Sequence, residues 1–307
     1  MDDESFRQIL HLFNLSWPGY RKVRKGVKKR IARHMQECGC RRTSDYLLIL
    51  KADHDAAKKA RELLTVSLSR FFRDLRLWET LKNCIIPKLV REIDLTGRLP
   101  VRVWSAGCSC GEEAYSLQIL WDQMEGQVPR MPPVEIWATD SNSQVLEKAR
   151  TGIYRRSSLR NLNPSTLQDF FTPVSNGFAI REELKEGIHW VLHDFVSDIP
   201  PRIIFDIIFL RNNLLTYYDS PVKVRVFFEI LAALRAGGFL IVGNNEEIPA
   251  EAVSLRRCSE YRCIFWRNAE PPKSRVTGRD RNKIDLPKPG PAGHHILFPH
   301  TSGTPGT

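Results

Sequence analysis

The chain has 307 residues, 42% of them hydrophobic, which is enough for a full α/β domain and a smaller companion. No apolar run reaches the roughly 18–20 residues of a membrane span, and the opening "MDDESFRQIL" is acidic with no apolar core. The sequence therefore predicts no membrane helix, no signal peptide and a cytoplasmic location.

The net charge of +11 is unevenly placed: residues 1–100 carry 22 Lys and Arg against 12 Asp and Glu, and the rest of the chain is almost balanced. Residues 5–85 read as helical. Within "YRKVRKGVKKRIARHMQECG", Val23, Val27, Ile31 and Met35 recur every four residues, and Lys and Arg fill the other faces. "TSDYLLILKADHDAAKKARELLTVSL" supplies two further helical stretches.

From residue 101 the pattern changes. Strands are predicted over 101–104, 134–138, 189–192, 205–210 and 239–242, with helices over 112–125, 142–151 and 220–235. Such alternation predicts parallel strands covered on both faces. "YRCIFWR", 261–267, reads as a last, antiparallel edge strand, and 169–193 suggests a small β insertion. The Pro-, Gly- and Ser-rich stretch from about 270 predicts disorder. The expected organisation is a basic helical domain and linker over 1–88, an α/β domain over 89–269 with a β insertion near 172–192, and a tail over 270–307.

The seven cysteines include two C-x-C pairs, Cys38/Cys40 and Cys108/Cys110, and no C-x-x-C. An odd count fits a disulfide framework poorly. Reduced, buried thiols are the expectation, and no metal site is predicted.

In a doubly wound sheet, ligands bind at the carboxyl ends of strands where the strand order reverses. The first strand and its turn, "VWSAGCSCGEE", offer Gly107 and Gly111 among small residues, a turn compatible with direct backbone–ligand contact or with a tight structural turn alone. It is neither the dinucleotide fingerprint nor a P-loop. Glu112 and Glu113 at the mouth of the next helix repel phosphate but suit a cationic amine. Asp140, ending "VEIWATD", can accept two ribose hydroxyls, or cap the helix that follows. A ribose and an amine without phosphates describe S-adenosylmethionine better than a dinucleotide or ATP. "FDIIFLRNNLLTYYD" brings Arg211–Asn212 either to the pocket rim or to a solvated loop, and Tyr217–Tyr218 to the rim or to packing.

Four segments, in order, resemble the chemotaxis receptor methyltransferases of the CheR family. "TVSLSRFFRD" resembles its N-x-T-x-F-F-R-[DE] segment, and "VWSAGCSCGEEAYS" its W-S-A-x-x-S-x-G-E-E-P-Y-S. "ATDSNSQVLEKARTGIYRRSSLRNL" and "FDIIFLRNNLLTYYD" resemble its later A-[ST]-D and R-N segments. The resemblance implies a Rossmann-like S-adenosylmethionine-dependent methyltransferase domain with a small antiparallel β insertion, preceded by an all-α domain. The activity it implies is O-methylation of glutamate side chains on chemoreceptor helices. By motif, Ser67, Ser69 and Arg73 would lie on a linker over the cofactor's methionine end. Glu113 would hold the amine, Asp140 the ribose, and Asp194–Phe195 the adenine side; Gly107, Arg211 and Asn212 complete the expected cofactor site. Arg73 and Tyr217 are the expected catalytic pair, orienting the reacting groups. The basic face of Arg21, Lys22, Arg24, Lys25, Lys28, Lys29, Arg30 and Arg33 would steer toward acidic receptor helices, or is a solvated face.

The chain departs from the family pattern at several points. Ser67 and Ser69 replace Asn and Thr, Ala114 replaces Pro, and Asn244–Asn245–Glu246 replaces H-S-E. After Arg211 one residue is added: Thr216 holds the family's Tyr position and Tyr217 comes one later. Such a slip turns a helical side chain by about 100°. A non-catalytic module that binds the cofactor and a protein partner is therefore the alternative. Nucleic-acid binding ranks last, because the basic region lacks stacking aromatics and a known motif.

Overall fold

The computed structural model describes residues 1–66, 69–128 and 130–268, so the expected tail and Ser67 lie outside the described residues. The helical part comprises α1 (Asp3–Leu12), α2 (Trp17–Tyr20), α3 (Arg24–Glu37), α4 (Thr43–Ala52) and α5 (His54–Leu64). The local signals are plain. Asp2 caps α1 by accepting the Ser5 N–H at 2.7 Å, and Asp53 caps α5 through the N–H groups of Asp55 and Ala56. On α3 the predicted stripe turns inward, with Val27 and Ile31 buried and Val23 and Met35 half-buried. His34, on the same face, is also buried and meets the Tyr46 hydroxyl at 2.7 Å. These helices close a core of their own around Phe6, Ile9, Tyr20, Ile31 and Tyr46.

Next come α6 (Leu75–Thr80), a π-helical turn over Leu81–Ile85, and α7 (Ile86–Thr96). The expected boundary at 88 groups α6 and the π-helical turn with the basic N-terminal part and cuts through α7, yet the apolar residues Leu77, Trp78, Leu81, Ile86 and Leu89 all belong to the core of the sheet. Trp78 stacks on Phe209 of a central strand at 5.8 Å. The hydrophobic packing thus divides between Leu64 and Phe71, not near residue 88.

The α/β part runs β1 (Val101–Ala106), α8 (Glu112–Glu125), β2 (Val134–Asp140), α9 (Ser143–Thr151), β3 (Ile153–Tyr154), α10 (Pro164–Phe170), β4 (Phe171–Val174), β5 (Gly177–Ile180), β6 (Ile188–Leu192), β7 (Phe205–Leu210), α11 (Leu214–Tyr217), α12 (Ser220–Ala232), β8 (Leu234–Val242), β9 (Leu255–Arg257) and β10 (Ile264–Arg267). Seven strands form one sheet in the order β6-β2-β1-β7-β8-β10-β9. The chain moves outward from β1 through β2 to β6, then restarts on the other side at β7, so the strand order reverses between β1 and β7. All six residues of β7 are buried, as a strand covered on both faces requires.

Two strand expectations change. The insertion is the three-stranded antiparallel sheet β3-β5-β4, which starts at Ile153; the segment over 188–192 is instead the parallel edge strand of the main sheet, paired with β2. β10 is antiparallel as expected, but it is not the edge, because β9 pairs along its outer side. Among the described residues no helix is long and apolar enough to cross a membrane, and no group of side chains has a metal-binding arrangement. All seven cysteines are free.

Candidate functional site

The carboxyl ends of β1, β2 and β7 open into a cleft. Its lining draws on both cores: Phe13, Tyr20 and Arg61 from the helical part, Ser69 and Arg73 from the linker, and Gly107, Glu113, Asp140, Phe195, Arg211, Asn212 and Tyr217 from the α/β part. Nine of the expected site residues therefore share one cleft. Asp194 does not line it. Its carboxylate accepts the Val196 N–H at 3.0 Å and the Asp198 carboxylate accepts the Asp194 N–H, which closes a local turn beside Phe195.

The turn after β1 is built by backbone demands. Gly107 (φ +79°) and Gly111 (φ +86°) lie where side chains are strained. A Cβ on Gly107 would meet the Asn213 amide at 2.3 Å, so this glycine admits the segment after β7. The Gly107 and Cys108 N–H groups donate to the Thr139 carbonyl, both at 2.8 Å. Asp140 then fixes the turn and is fixed by it: one carboxylate oxygen accepts the Ser109 N–H at 2.9 Å and the other the Asn142 N–H at 3.0 Å. The cap of α9 is Asn142, whose side chain accepts from the Gln144 N–H, so the capping role that sequence allowed Asp140 belongs to its neighbour. Burial is the main cause that raises the Asp140 pKa above its ordinary 3.8, against the pull of these N–H groups.

The two acids of "GEE" divide. Glu113 faces the cleft, with one oxygen accepting the Ser105 hydroxyl at 2.8 Å and the other the Arg211 guanidinium at 3.0 Å. Arg211, with its side chain 4% exposed, also pairs with Asp74 on the linker. A carboxylate, a guanidinium and a second carboxylate thus tie α8, the end of β7 and the linker together on one side of the cleft. Asp74 was passed over in the sequence; its signal was the acid that directly follows F-F-R.

Glu112 turns away and is buried, and burial raises its pKa against hydrogen bonding to Ser158 and Ser69. Its helix also holds the linker: Ser116 accepts the Phe72 N–H at 2.9 Å and donates to the Glu112 carbonyl. Phe71, fully buried, meets Tyr154 and Phe171 edge-on at 4.8 and 5.2 Å.

The added residue after Arg211 is absorbed locally. Thr216 is turned out of the cleft, and its hydroxyl donates to Glu246 at 2.6 Å. The other Glu246 oxygen accepts the N–H groups of Asn212 (2.8 Å) and Gly243 (2.7 Å). Tyr217, at the end of α11, lines the cleft. Its hydroxyl pKa is raised by burial, countered by the positive charge of Arg73 nearby. Glu246, the one residue kept from the family's H-S-E, thus holds the R-N turn together.

Of the eight basic residues on and just before α3, three have partners among the described residues. Arg24 and Lys28 pair with Asp3 at 3.5 and 2.8 Å, and Arg30 donates to the Leu63 and Thr65 carbonyls at the end of α5. Arg21, Lys22, Lys25, Lys29 and Arg33 are exposed.

The cleft offers carboxylates for a cationic amine and for sugar hydroxyls, aromatic rings for a base, and no phosphate-binding lysine in the glycine turn. That donor set fits S-adenosylmethionine. The chain is 30% identical over 86% of its length to an "Uncharacterized 104.1 kDa protein in hypE 3'region" of Rhodobacter capsulatus, of which it spans only 27%. It is 33% identical over 61% of its length to a chemotaxis protein methyltransferase of Listeria innocua serovar 6a, covering 67% of that protein. Among solved structures, the N-methyltransferase NodS from Bradyrhizobium japonicum WM9, in complex with S-adenosyl-L-homocysteine, aligns at 14% identity and a TM-score of 0.32 over 61% of this chain and 86% of that one. Residues 67–263 match the family model described as CheR methyltransferase, SAM binding domain, and the chain belongs to the CheR methyltransferase family.

Proposed function

We propose that the chain is an S-adenosylmethionine-dependent O-methyltransferase that forms methyl esters on glutamate side chains of chemoreceptor signalling helices. The observation that carries this reading is the convergence of Glu113, Asp140, Arg73 and Tyr217 on one cleft at the strand-order reversal. S-adenosylmethionine supplies a sulfonium-activated methyl group. Glu113 receives its amine, in exchange for part of the Arg211 contact; Asp140 accepts the ribose hydroxyls, and Phe195 flanks the base. Arg73 attracts the substrate carboxylate, and the Tyr217 hydroxyl donates a hydrogen bond that fixes the attacking oxygen in line. With the cofactor bound, its sulfonium would supply the methyl group to that oxygen and would leave as the neutral thioether, keeping the electron pair of the broken carbon–sulfur bond. A carboxylate is already unprotonated at neutral pH, so the residues do positioning and water exclusion and no general base is required.

Thr216 bonded to Glu246, with Tyr217 on the cleft side, supports catalysis over the non-catalytic alternative. The test is transfer of tritiated methyl from labelled cofactor to a receptor signalling fragment, read as base-labile ester. Label on glutamates is the expected result. Tight binding of S-adenosylhomocysteine with no labelling would remove this reading.

A further inference from the structure

The segment that carries Tyr217 is clamped from outside the α/β domain. Ser16, the residue before α2, donates its N–H to the Tyr217 carbonyl at 2.8 Å, and the Asp219 N–H donates to the Asn14 carbonyl at 2.9 Å. Leu15 and Tyr218 form an antiparallel bridge between these two bonds. One turn into α2, Gly19 lies against the same segment. A Cβ there would stand 2.1 Å from the Thr216 carbonyl oxygen and 3.3 Å from the Tyr217 Cα. Both atoms are backbone, so no side-chain rotation relieves the overlap. The Tyr20 ring then meets the Tyr217 ring at 5.1 Å, while its hydroxyl donates to the Leu64 carbonyl at the end of α5.

We infer that α2 of the helical part is a positioning element for Tyr217, acting through the Ser16 N–H and through the absence of a side chain at Gly19. The inference rests on the proposed role of Tyr217 and extends it. The α/β domain alone places the turn by Glu246, and the clamp from α2 sets the orientation of the tyrosine that follows the added residue. The basic helical part, read from sequence only as a docking surface, is on this account also part of the catalytic framework.

The experiment uses the full chain with three substitutions. Gly19→Ala forces the Thr216 carbonyl outward. Ser16→Pro removes one hydrogen bond at a residue whose φ of −82° already suits proline. Gly126→Ala is the control, since nothing lies within 4 Å of a Cβ there. Expected are a fall in kcat of about tenfold or more for Gly19→Ala and about threefold for Ser16→Pro. The dissociation constant for S-adenosylhomocysteine stays within about threefold. In a Tyr217→Ala background neither substitution lowers kcat further, which a merely destabilising change would not produce. Backbone hydrogen exchange over residues 214–219 quickens in both variants, while residues 101–120 are unchanged. Gly19→Ala with kcat within twofold of the parent and no faster exchange overturns the inference, as does an undiminished loss in the Tyr217→Ala background. A parent protein that transfers no methyl overturns the proposed function instead, and the exchange measurement then decides the clamp by itself.

Discussion

Asp140 and Glu113 are both carboxylates at the cleft, but they answer different questions. For Asp140, burial lifts the pKa above 3.8, so the folded chain holds a proton there more tightly than the unfolded chain. Its contribution to stability is therefore greatest in acid and declines as pH rises from 3.8 through the folded value. Ligand binding runs the other way, because a protonated carboxyl loses one of the two acceptors a ribose needs. Calorimetry with S-adenosylhomocysteine should show affinity weakening on acidification before pH reaches 3.8, and Asp140→Asn should flatten that dependence while binding weakly throughout. For Glu113 the test is charge. Glu113→Gln keeps a single acceptor oxygen where Ser105 and Arg211 each have their own, and it gives the amine no counter-charge, so the affinity should fall about tenfold or more. Equal affinity in parent and variant would assign the amine elsewhere, with Asp74 the next candidate. The sequence made the cleft-facing carboxylates legible because each ends a strand or opens a helix at a motif position. It assigns Asp74 no role, reads Glu112 as a second acid for the amine and Glu246 only as part of a motif, since their work is to hold other chain segments, and such pairings across 30 to more than 130 residues leave no local pattern.

At the scale of elements, the linker is the least regular piece of the site, and it is held by α8. Ser116 is fully buried, and its hydroxyl satisfies the Phe72 N–H. The Phe72 carbonyl accepts from Asn161, and the Phe71 N–H donates to the Ser158 carbonyl. Ser116→Ala removes the hydroxyl that accepts the Phe72 N–H, so about 1–3 kcal/mol of stability should be lost in urea unfolding. Limited proteolysis should then cut the linker sooner than the parent, and added S-adenosylhomocysteine should slow the cut by ordering Ser69 and Arg73. Unchanged proteolysis would mean that Phe71 packing alone secures the linker. Elements with a clear period are legible: the main-sheet strands β1, β2, β6, β7 and β8 and the helices α8, α9 and α12 arise from apolar runs bounded by turns. β3, two residues long, and β9, three residues long, carry too little pattern to be read. α6 is legible as a helix but not by allegiance, because an apolar face does not say which core receives it, and α7 lies beyond the helical reading of 5–85.

Over the whole molecule, the sequence separates charge from chemistry, and the fold brings them together: the basic first hundred residues supply Phe13, Tyr20 and Arg61 to a cleft whose acids come from the other part. The order of the sheet and its reversal between β1 and β7 follow from pairings distant in sequence, which composition cannot reveal. What composition does reveal is a long-range field. Arg24, Lys28 and Arg30 are tied to Asp3 and to the end of α5, so the exposed charge on and before α3 resides in Arg21, Lys22, Lys25, Lys29 and Arg33. If that field draws in a glutamate-rich helix, the effect must be on encounter and must be screened over about 8 Å at physiological salt. Lys25→Glu, Lys29→Glu and Arg33→Glu together should lower kcat/KM for the receptor fragment at least tenfold at low salt, and the gap between parent and variant should narrow as salt is raised. The affinity for S-adenosylhomocysteine should stay unchanged, since none of the three residues lines the cleft. A loss that is the same at every salt concentration would point to direct contacts in place of steering, and no loss at all would return this face to ordinary solvated charge.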